Sequence, residues 1–456
     1  MQSKSLVVLS MVAVLGLVSA AMAVPYASGV VQNGASSTFV LNEDGANVKI
    51  VYDGGATVVN MGTLNKGTYT FDATLGSSYQ IKVSKSAAVG WTQISDDNLT
   101  QSKYYSPRGV SVNKNAASSN FGRIYVSEGL GGAVAAGGRT TTDGIYVMTA
   151  DQGDVLGQGD TAFAGGINWT TGGSNSPWKI TVAPDDSVYI ADWSDLNSGV
   201  WRCNANPQSN FDEILTNVGR TSTGLVAGVH GSVASVYIEG TGANTVLYTL
   251  DEDFNAGSGM GSILRYDIGT QTGYSGTPVE QTQDIPNHIQ NSNMDFVRDS
   301  DGSWWICQYR YTDSDAVPTL LHWADGASSP SWKSGPSTVA LDRGYGILAI
   351  DNLNDLIAVG TNNSKIYILD ISDPSNVALV DTIAHSGATI RDLDFDAAGN
   401  LYVVSSSSET LRIYSPGGDW MAITGSDGSF VLIPEPAAVV LLALGGLACL
   451  RRRRIA

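Results

Sequence analysis

Cysteine and histidine are scarce in this chain of 456 residues. There are three cysteines and four histidines, with no Cys-x-x-Cys pair and no HxH or HExxH spacing. The sequence therefore has neither a disulfide framework nor a zinc site of the usual spacing. It also lacks a G-x-S-x-G nucleophile elbow and a glycine-rich loop followed by a helix. No complete catalytic set is present, so the residues predict a non-enzymatic protein.

The cysteines are far apart in the sequence. Cys307 lies in the apolar segment Trp304–Cys307, and such a position predicts a buried free thiol. A bridge from Cys307 to Cys203 is the alternative. Cys449 belongs to the C-terminal apolar segment.

Positive charge is also in short supply. The chain has 25 Lys and Arg against 43 Asp and Glu, a net charge of −18. Such a surface repels phosphate backbones and argues against nucleic acid as a partner. With 52 glycines, only 15% charged residues and 43% hydrophobic residues, the composition favours a turn-rich, folded β protein.

The N-terminus carries an export signal. Lys4 precedes an apolar segment from Leu6 to Leu17, and Ala21-Met22-Ala23 has the small-x-small pattern of a cleavage site. These features predict a secretory signal peptide over residues 1–23, helical while it is recognised by the translocon. We expect cleavage after Ala23, with Ala21 as the alternative.

The C-terminus has the pattern of a second targeting signal. Its parts are Pro434, Glu435 and Pro436, the apolar run Ala437–Leu450, and Arg451, Arg452, Arg453 and Arg454. The run of 14 residues is shorter than the roughly 20 that span a bilayer comfortably, and the arginines favour the cytoplasmic side. Residues 434–456 resemble the PEP-CTERM sorting signal of bacteria. That resemblance implies a helical membrane segment recognised by an exosortase, a transient tether, and final delivery to the cell surface or extracellular space.

Short strands with alternating apolar residues fill residues 34–84. Val48, Ile50 and Tyr52 alternate before the turn Asp53-Gly54-Gly55. This pattern predicts a small β-sandwich module, which resembles the immunoglobulin-like modules of exported bacterial proteins.

Residues 91–425 repeat one unit: a strand, a tight turn and a second strand. The clearest copies are Ile390–Val404 and Trp178–Asp192. Second-strand anchors recur about 45 to 64 residues apart, which is typical of propeller blades. They are Ile124, Val188, Val246, Trp304, Leu356 and Leu401. We predict an all-β propeller with six blades, seven being the alternative, and the body resembles NHL-type propellers. Either Trp91–Ile94 or Met421–Thr424 supplies the strand that closes the ring.

Acidic clusters raise the question of a bound cation. Asp299–Gly302 and Asp392–Asp396 both present several carboxylates, but neither ends in the glutamate of a calcium loop. Asp and Gly are also what tight hairpin turns require, and turns are the favoured interpretation. Asp251–Asp253 is the better cation candidate. Calcium is therefore the one cofactor left open, and no metal ligand is assigned.

Two arginines open inner strands of the propeller. The channel of gluconolactonase-type propellers holds a divalent metal, and that resemblance implies an acidic ligand near the start of the first blade. Arg108 stands there instead, which counts against a metal-dependent hydrolase or lactonase. Arg108 and Arg391 either point into the channel or, as we favour, pair with carboxylates such as Asp392.

Tryptophans suggest a carbohydrate surface as a further possibility for ligand binding. Trp178 and Trp201 lie in predicted strands and are expected in the core, whereas Trp193 follows a strand end where a rim position is expected; Trp169 completes the group. The sequence thus favours an exported binding module for an extracellular polysaccharide or a surface protein. The extracellular hydrolase and a matrix scaffold without a discrete ligand are the alternatives.

Overall fold

The computed structural model describes residues 25–194, 197, 199–216, 233–251, 262–282, 285, 294–309, 313–361 and 363–434. Secondary structure in these residues consists of strands and short 3-10 turns, so the prediction of an all-β protein is confirmed. The predicted signal peptide, including Ala21 and Ala23, lies outside the described residues. So do Glu435, Pro436 and the arginines 451–454. No helix in the described part of the chain is long and apolar enough to cross a membrane.

The strands are numbered in chain order. The first six are β1 (Ala27–Asn33), β2 (Ser36–Leu41), β3 (Ala46–Tyr52), β4 (Thr57–Leu64), β5 (Gly67–Asp72) and β6 (Tyr79–Ser86). The next ten are β7 (Thr92–Gln93), β8 (Pro107–Val112), β9 (Ile124–Glu128), β10 (Gly132–Ala133), β11 (Thr140–Thr141), β12 (Gly144–Met148), β13 (Ile180–Val182), β14 (Val188–Asp192), β15 (Gly199–Cys203) and β16 (Asp212–Leu215).

The following strands continue the series. They are β17 (Val233–Glu239), β18 (Val246–Asp251), β19 (Ser262–Tyr266), β20 (Val279–Glu280), β21 (Met294–Arg298), β22 (Trp304–Gln308), β23 (Leu320–Trp323), β24 (Trp332–Lys333), β25 (Gly344–Asp351), β26 (Leu356–Thr361), β27 (Lys365–Asp370), β28 (Ala378–Ala384), β29 (Ile390–Phe395), β30 (Leu401–Ser405), β31 (Thr410–Ser415), β32 (Asp419–Gly425) and β33 (Phe430–Pro434). The 3-10 turns are Asp53–Gly55, Ala73–Leu75, Thr100–Ser102, Trp169–Asn175 and Gly242–Asn244.

Six antiparallel sheets surround a central channel and form a β-propeller. In strand order they are β8-β9-β12, β13-β14-β15-β16, β17-β18-β19-β20, β21-β22-β23-β24, β25-β26-β27-β28 and β29-β30-β31-β7. The innermost strands β8, β13, β17, β21, β25 and β29 each contact the next one, and β29 contacts β8. Central strands such as β9 and β22 are buried along their whole length. Neighbouring sheets therefore cover both apolar faces of each blade.

The ring is closed by residues from before the first blade. Gln93 and Thr92 of β7 pair with Tyr414 and Ser415 of β31, so the first of the two predicted closing segments is the one used. The other candidate, Met421–Thr424, lies in β32 and pairs with β6 instead. An N-terminal strand in the last blade joins the two ends of the propeller by hydrogen bonds.

Both ends of the described chain build a second unit, here called the terminal module (residues 25–86 and 419–434). Its sheets have the orders β33-β32-β6-β3-β4 and β1-β2-β5. One apolar core lies between these sheets and includes Phe39, Val48, Ile50, Phe71 and Ile81.

The boundaries of this unit differ from the predicted 34–84, and the assignment of residues 419–425 to the propeller is wrong. Seven residue pairs join β32 to β6. The Tyr79 amide also donates to Ser426 Oγ at 3.2 Å, across 347 positions of sequence. Local pattern cannot reveal such a partner, because β32 looks like any other strand of alternating polarity.

The terminal module packs beside the first and last blades. The Tyr26 ring lies 5.4 Å from that of Phe121, which belongs to the loop between β8 and β9, and 5.7 Å from that of Phe430 in β33. Ala398, in the turn between β29 and β30, belongs to the same buried cluster. This contact fixes the module at the end of the channel where the inner strands turn back.

Candidate functional site: the central channel

A cavity of about 490 Å³ opens at one end of the channel. All six innermost strands line it, together with residues of the turns that follow them, such as Asn115, Pro184, Leu353 and Ala397. We call this end the turn face. The walls combine apolar side chains such as Val182 with polar ones, and a concave site that joins apolar walls to a few placed polar groups is the usual form of a ligand pocket.

The inner end of the cavity is closed by a buried charge cluster. Lys179 Nζ lies 2.9 Å from Asp295 Oδ2 and also donates to Asp392 Oδ1. Lys179 directly precedes β13, Asp295 lies in β21 and Asp392 in β29, and each residue is at most 5% exposed. One lysine therefore links three blades across the channel.

The surroundings set the ionisation of this cluster. Burial raises the pKa of Asp392 to about 7, although Lys179 acts in the opposite direction. For Lys179 burial lowers the pKa, but the two carboxylates outweigh it and the net pKa is raised. The lysine thus stays charged because its partners are beside it.

The channel carboxylates are already bonded. Asp295 accepts hydrogen bonds from Ser235 Oγ at 2.6 Å and from the Phe296 amide at 3.0 Å. Asp392 Oδ2 accepts one from the Val110 amide at 2.8 Å. The bonds from Ser235 and Val110 reach from one blade to the next, so the carboxylates stabilise the ring.

Asp394 is held in the same way. Its Oδ2 accepts from the Val112 amide at 2.8 Å, and its Oδ1 lies 2.8 Å from Lys114 Nζ. Within the described residues, no group of three or more His, Cys, Asp or Glu side chains is arranged to hold a metal ion.

The predicted acidic turns have two different outcomes. Asp299–Gly302 does form the turn between β21 and β22, with Gly302 at φ +90° and Asp301 Oδ1 accepting from the Ser303 amide. Asp392 and Asp394, in contrast, lie within β29 and face the channel, so the turn interpretation is wrong for them. Only Asp396 of that cluster bonds the turn itself, through the Ala398 and Asn400 amides. Glu252 and Asp253, of the preferred cation candidate, lie outside the described residues.

The favoured pairing of Arg108 and Arg391 with Asp392 is wrong, because Asp392 binds Lys179. The Arg108 guanidinium lies over the Trp178 ring at 5.2 Å, and that of Arg391 over the Tyr345 ring at 5.5 Å. Neither arginine lines the cavity at the turn face.

The tryptophans do not form one exposed platform. Trp169 and Trp178 are each 1% exposed and belong to the core. The Trp193 ring packs on that of Trp178 at 4.8 Å, whereas Trp201 packs edge-on against Trp169 at 6.0 Å. These are two separate pairs, with little ring surface left for a sugar.

Cys203 and Cys307 are both buried free thiols and form no disulfide. They belong to different apolar clusters, and burial raises the pKa of both. A free thiol at Cys307 is the outcome predicted from its apolar segment.

Sequence reasoning missed Lys179 and Asp295 as members of the channel. A signal was present: each is a single charge inside an apolar strand segment, Trp178-Lys179-Ile180 and Met294-Asp295-Phe296. Charges are almost never fully buried unless they are paired, so two such positions of opposite sign predict a buried pair.

No protein-family model and no curated protein matches this chain. Among solved structures, it is similar to a protein of unknown function from Bacteroides thetaiotaomicron, with 12% identity, a TM-score of 0.44, and coverage of 86% of this chain and 98% of that one. It is also similar to the WD40 β-propeller domain of Doa1, with 11% identity, a TM-score of 0.42, and coverage of 72% and 97%. A third similar structure is a chain of the mitotic checkpoint complex, with 11% identity, a TM-score of 0.39, and coverage of 73% of this chain and 96% of that one. The assignment as a β-propeller rests on the six sheets themselves.

Proposed function

We propose that this protein is an exported, non-enzymatic binding module, and that its ligand enters the cavity at the turn face. The observation that carries the proposal is the cavity itself, whose walls hold apolar side chains beside polar ones and whose inner end is closed by charges that already neutralise one another. Asp295, Asp392 and Asp394 are bonded to lysines and backbone amides. None of them is left to act as a general base or a metal ligand without first losing a partner.

The favoured ligand is a protruding apolar side chain of a surface protein. Leu353 stands at the rim with 63% of its surface exposed, and Val182 and Ile350 line the walls. Polysaccharide recognition relies on open aromatic faces, whereas Phe296 and Phe395 in the lining are at most 2% exposed. An extracellular polysaccharide is therefore the second ligand class to test.

A phage-displayed library of loop peptides tests the cavity. We expect the purified protein to enrich peptides with a central large apolar residue. Leu353→Asp should weaken their binding at least about tenfold, because it places a charge beside an apolar contact. Val279→Asp is the matched control: Val279 is 57% exposed and lies on β20, away from the channel. Equal effects of the two substitutions would refute the cavity as the site.

The competing activities have their own readouts. Binding on a glycan array that Leu353→Asp abolishes would point to a polysaccharide ligand. A tight, stoichiometric uptake of calcium or zinc, lost when Asp295 and Asp392 become asparagine, would instead support the metal-dependent hydrolase or lactonase. Flat results in every assay would favour a matrix scaffold.

The export part of the proposal is supported by the two terminal segments of the sequence. We expect the mature chain to begin at Val24 and the tail to be processed at or after Pro434 in an exosortase-containing host. Replacing Pro434, Glu435 and Pro436 with alanines should leave the protein in the membrane fraction. Mass spectrometry of the secreted and membrane fractions measures both ends. An unprocessed tail in the wild-type protein would contradict the sorting proposal.

A further inference from the structure

Two arginines lie at the end of the channel opposite the turn face. Arg108 lies near the start of β8 and Arg391 near the start of β29, and these inner strands are neighbours. The Val110 amide donates to Asp392 Oδ2 at 2.8 Å, so the arginines, one or two positions earlier, lie close to the same point of the channel.

Each arginine occupies an irregularity in its strand. The register of β8 against β9 shifts between Pro107 and Gly109, and that of β29 against β30 shifts between Ile390 and Asp392. A β-bulge re-aims the side chain of the extra residue, and bulges are common beside functional sites. The same device therefore places both guanidinium groups.

Neither arginine forms an ion pair in the part of the chain that the structure describes. Arg108 is only 6% exposed, and its Nε is buried without a hydrogen-bond partner. Among the described residues, Arg108 makes no ion pair, and its guanidinium lies over the face of the Trp178 ring at 5.2 Å. Arg391 donates from Nε to Ser406 Oγ at 2.9 Å and lies over Tyr345, but it too has no carboxylate partner in the described chain.

The electrostatics agree with this geometry. Burial, together with repulsion from Arg391, lowers the pKa of Arg108 to about 9. The carboxyl of Glu128, which interacts electrostatically with Arg108, has its pKa raised to about 8 by burial. Stacking on an aromatic ring offsets only part of the cost of burying a cation.

We propose that Arg108 and Arg391 form an oxyanion site that binds a carboxylate, sulfate or phosphate group of a soluble ligand. A guanidinium presents five donors in a planar fork that matches such groups. The site is distinct from the cavity of the proposed function, whose lining includes Lys179 and Asp392 but neither arginine.

Calorimetric titration of the purified protein tests this site. The probes are sodium acetate, glucuronate, sulfate and phosphate, each against sodium chloride at equal ionic strength, and the strongest of them identifies the group. We expect saturable binding at one site. Arg108→Gln and Arg391→Gln should each weaken it at least about tenfold, because each removes charge-assisted hydrogen bonds.

Arg298→Gln is the matched control. Its guanidinium also lies over aromatic rings, Tyr248 at 5.3 Å and Trp304 at 4.9 Å, but it pairs with Glu239 at 2.6 Å. This substitution should leave anion binding unchanged. If the glutamine variants fold poorly, Arg108→Lys and Arg391→Lys take their place, because they keep the positive charge and remove the planar guanidinium. We expect these lysine variants to bind the anion more weakly than the wild type, with a smaller loss of affinity than in the glutamine variants.

Two results would overturn the proposal. One is the absence of saturable binding by all four anions in the folded wild-type protein. The other is binding that the folded arginine variants retain in full. Both outcomes are independent of whether the cavity at the turn face binds a peptide.

Discussion

Lys179→Met is expected to lower the free energy of unfolding by about 3–5 kcal/mol at pH 8, the range for removing one partner of a buried ion pair. The substitution leaves Asp295 and Asp392 facing each other in the channel without their common cation. Both carboxylates are at most 5% exposed, so water cannot replace the lysine effectively.

The loss of stability in the Lys179→Met variant should depend on pH. Burial already raises the pKa of Asp392 above that of an exposed aspartate, and removal of Lys179 raises it further. The folded variant then holds a proton that the unfolded chain releases above about pH 4. Because folded wild type also holds this proton up to about pH 7, the stability of the variant relative to the wild type falls as pH rises above about 7. Denaturant unfolding at pH 6 and pH 9 measures the difference.

Two further variants make this result interpretable. Lys365→Met removes a lysine that is 46% exposed and pairs with Asp342 at 2.8 Å on the surface, so it should cost at most about 1 kcal/mol. Replacing Asp295 and Asp392 with asparagine in the Lys179→Met background should recover much of the stability. A loss equal to that of Lys365→Met, or one that is the same at both pH values, would contradict the buried-pair interpretation.

Ending the chain at residue 418 is expected to unfold the terminal module and leave the propeller closed. The missing strand β32 lies between β6 and β33, and its Ala422 and Thr424 are at most 2% exposed. Without it, β6 becomes an open edge and the cluster around Tyr26 and Phe121 loses Phe430. The propeller keeps its own closing pair, β7 with β31.

Limited proteolysis followed by N-terminal sequencing measures this effect. Cleavage within residues 27–86 should become at least about tenfold faster, which corresponds to about 1.4 kcal/mol of lost local stability. A chain that ends at residue 434 is the control and should resist cleavage like the wild type, because β33 is complete. Equal resistance of both truncated chains would show that β32 and β33 are dispensable.

Much of the propeller could be predicted from local pattern. The turn Asp396–Asn400 and its flanking strands could be predicted correctly, because the two strands and their turn are consecutive in the chain, within a blade repeat of about 50 residues. The closing strand Trp91–Ile94 was one of two candidates. The choice between them required knowing that β32 pairs with β6, and this pairing joins residues that are far apart in sequence.

The candidate sites were predicted less well. The positions of Arg108 and Arg391 at the starts of inner strands could be predicted from the sequence, but the absence of an ion pair to either of them among the described residues could not. Pairing depends on which strands face one another across the channel. A lone lysine in an apolar strand, such as Lys179, was the strongest unused signal.

The sequence by itself determined the β class, the blade repeat and the acidic character of this protein. It also contains the predicted signal peptide and the predicted sorting segment, on which the export proposal depends. The tertiary structure alone decided that Lys179 pairs with Asp295 and Asp392, that the two arginines form no ion pair within the described residues, and that both ends of the described chain share one module. The physical reason is sequence separation. Lys179 lies 116 and 213 positions from its two partners, so only closure of the ring brings these charges together.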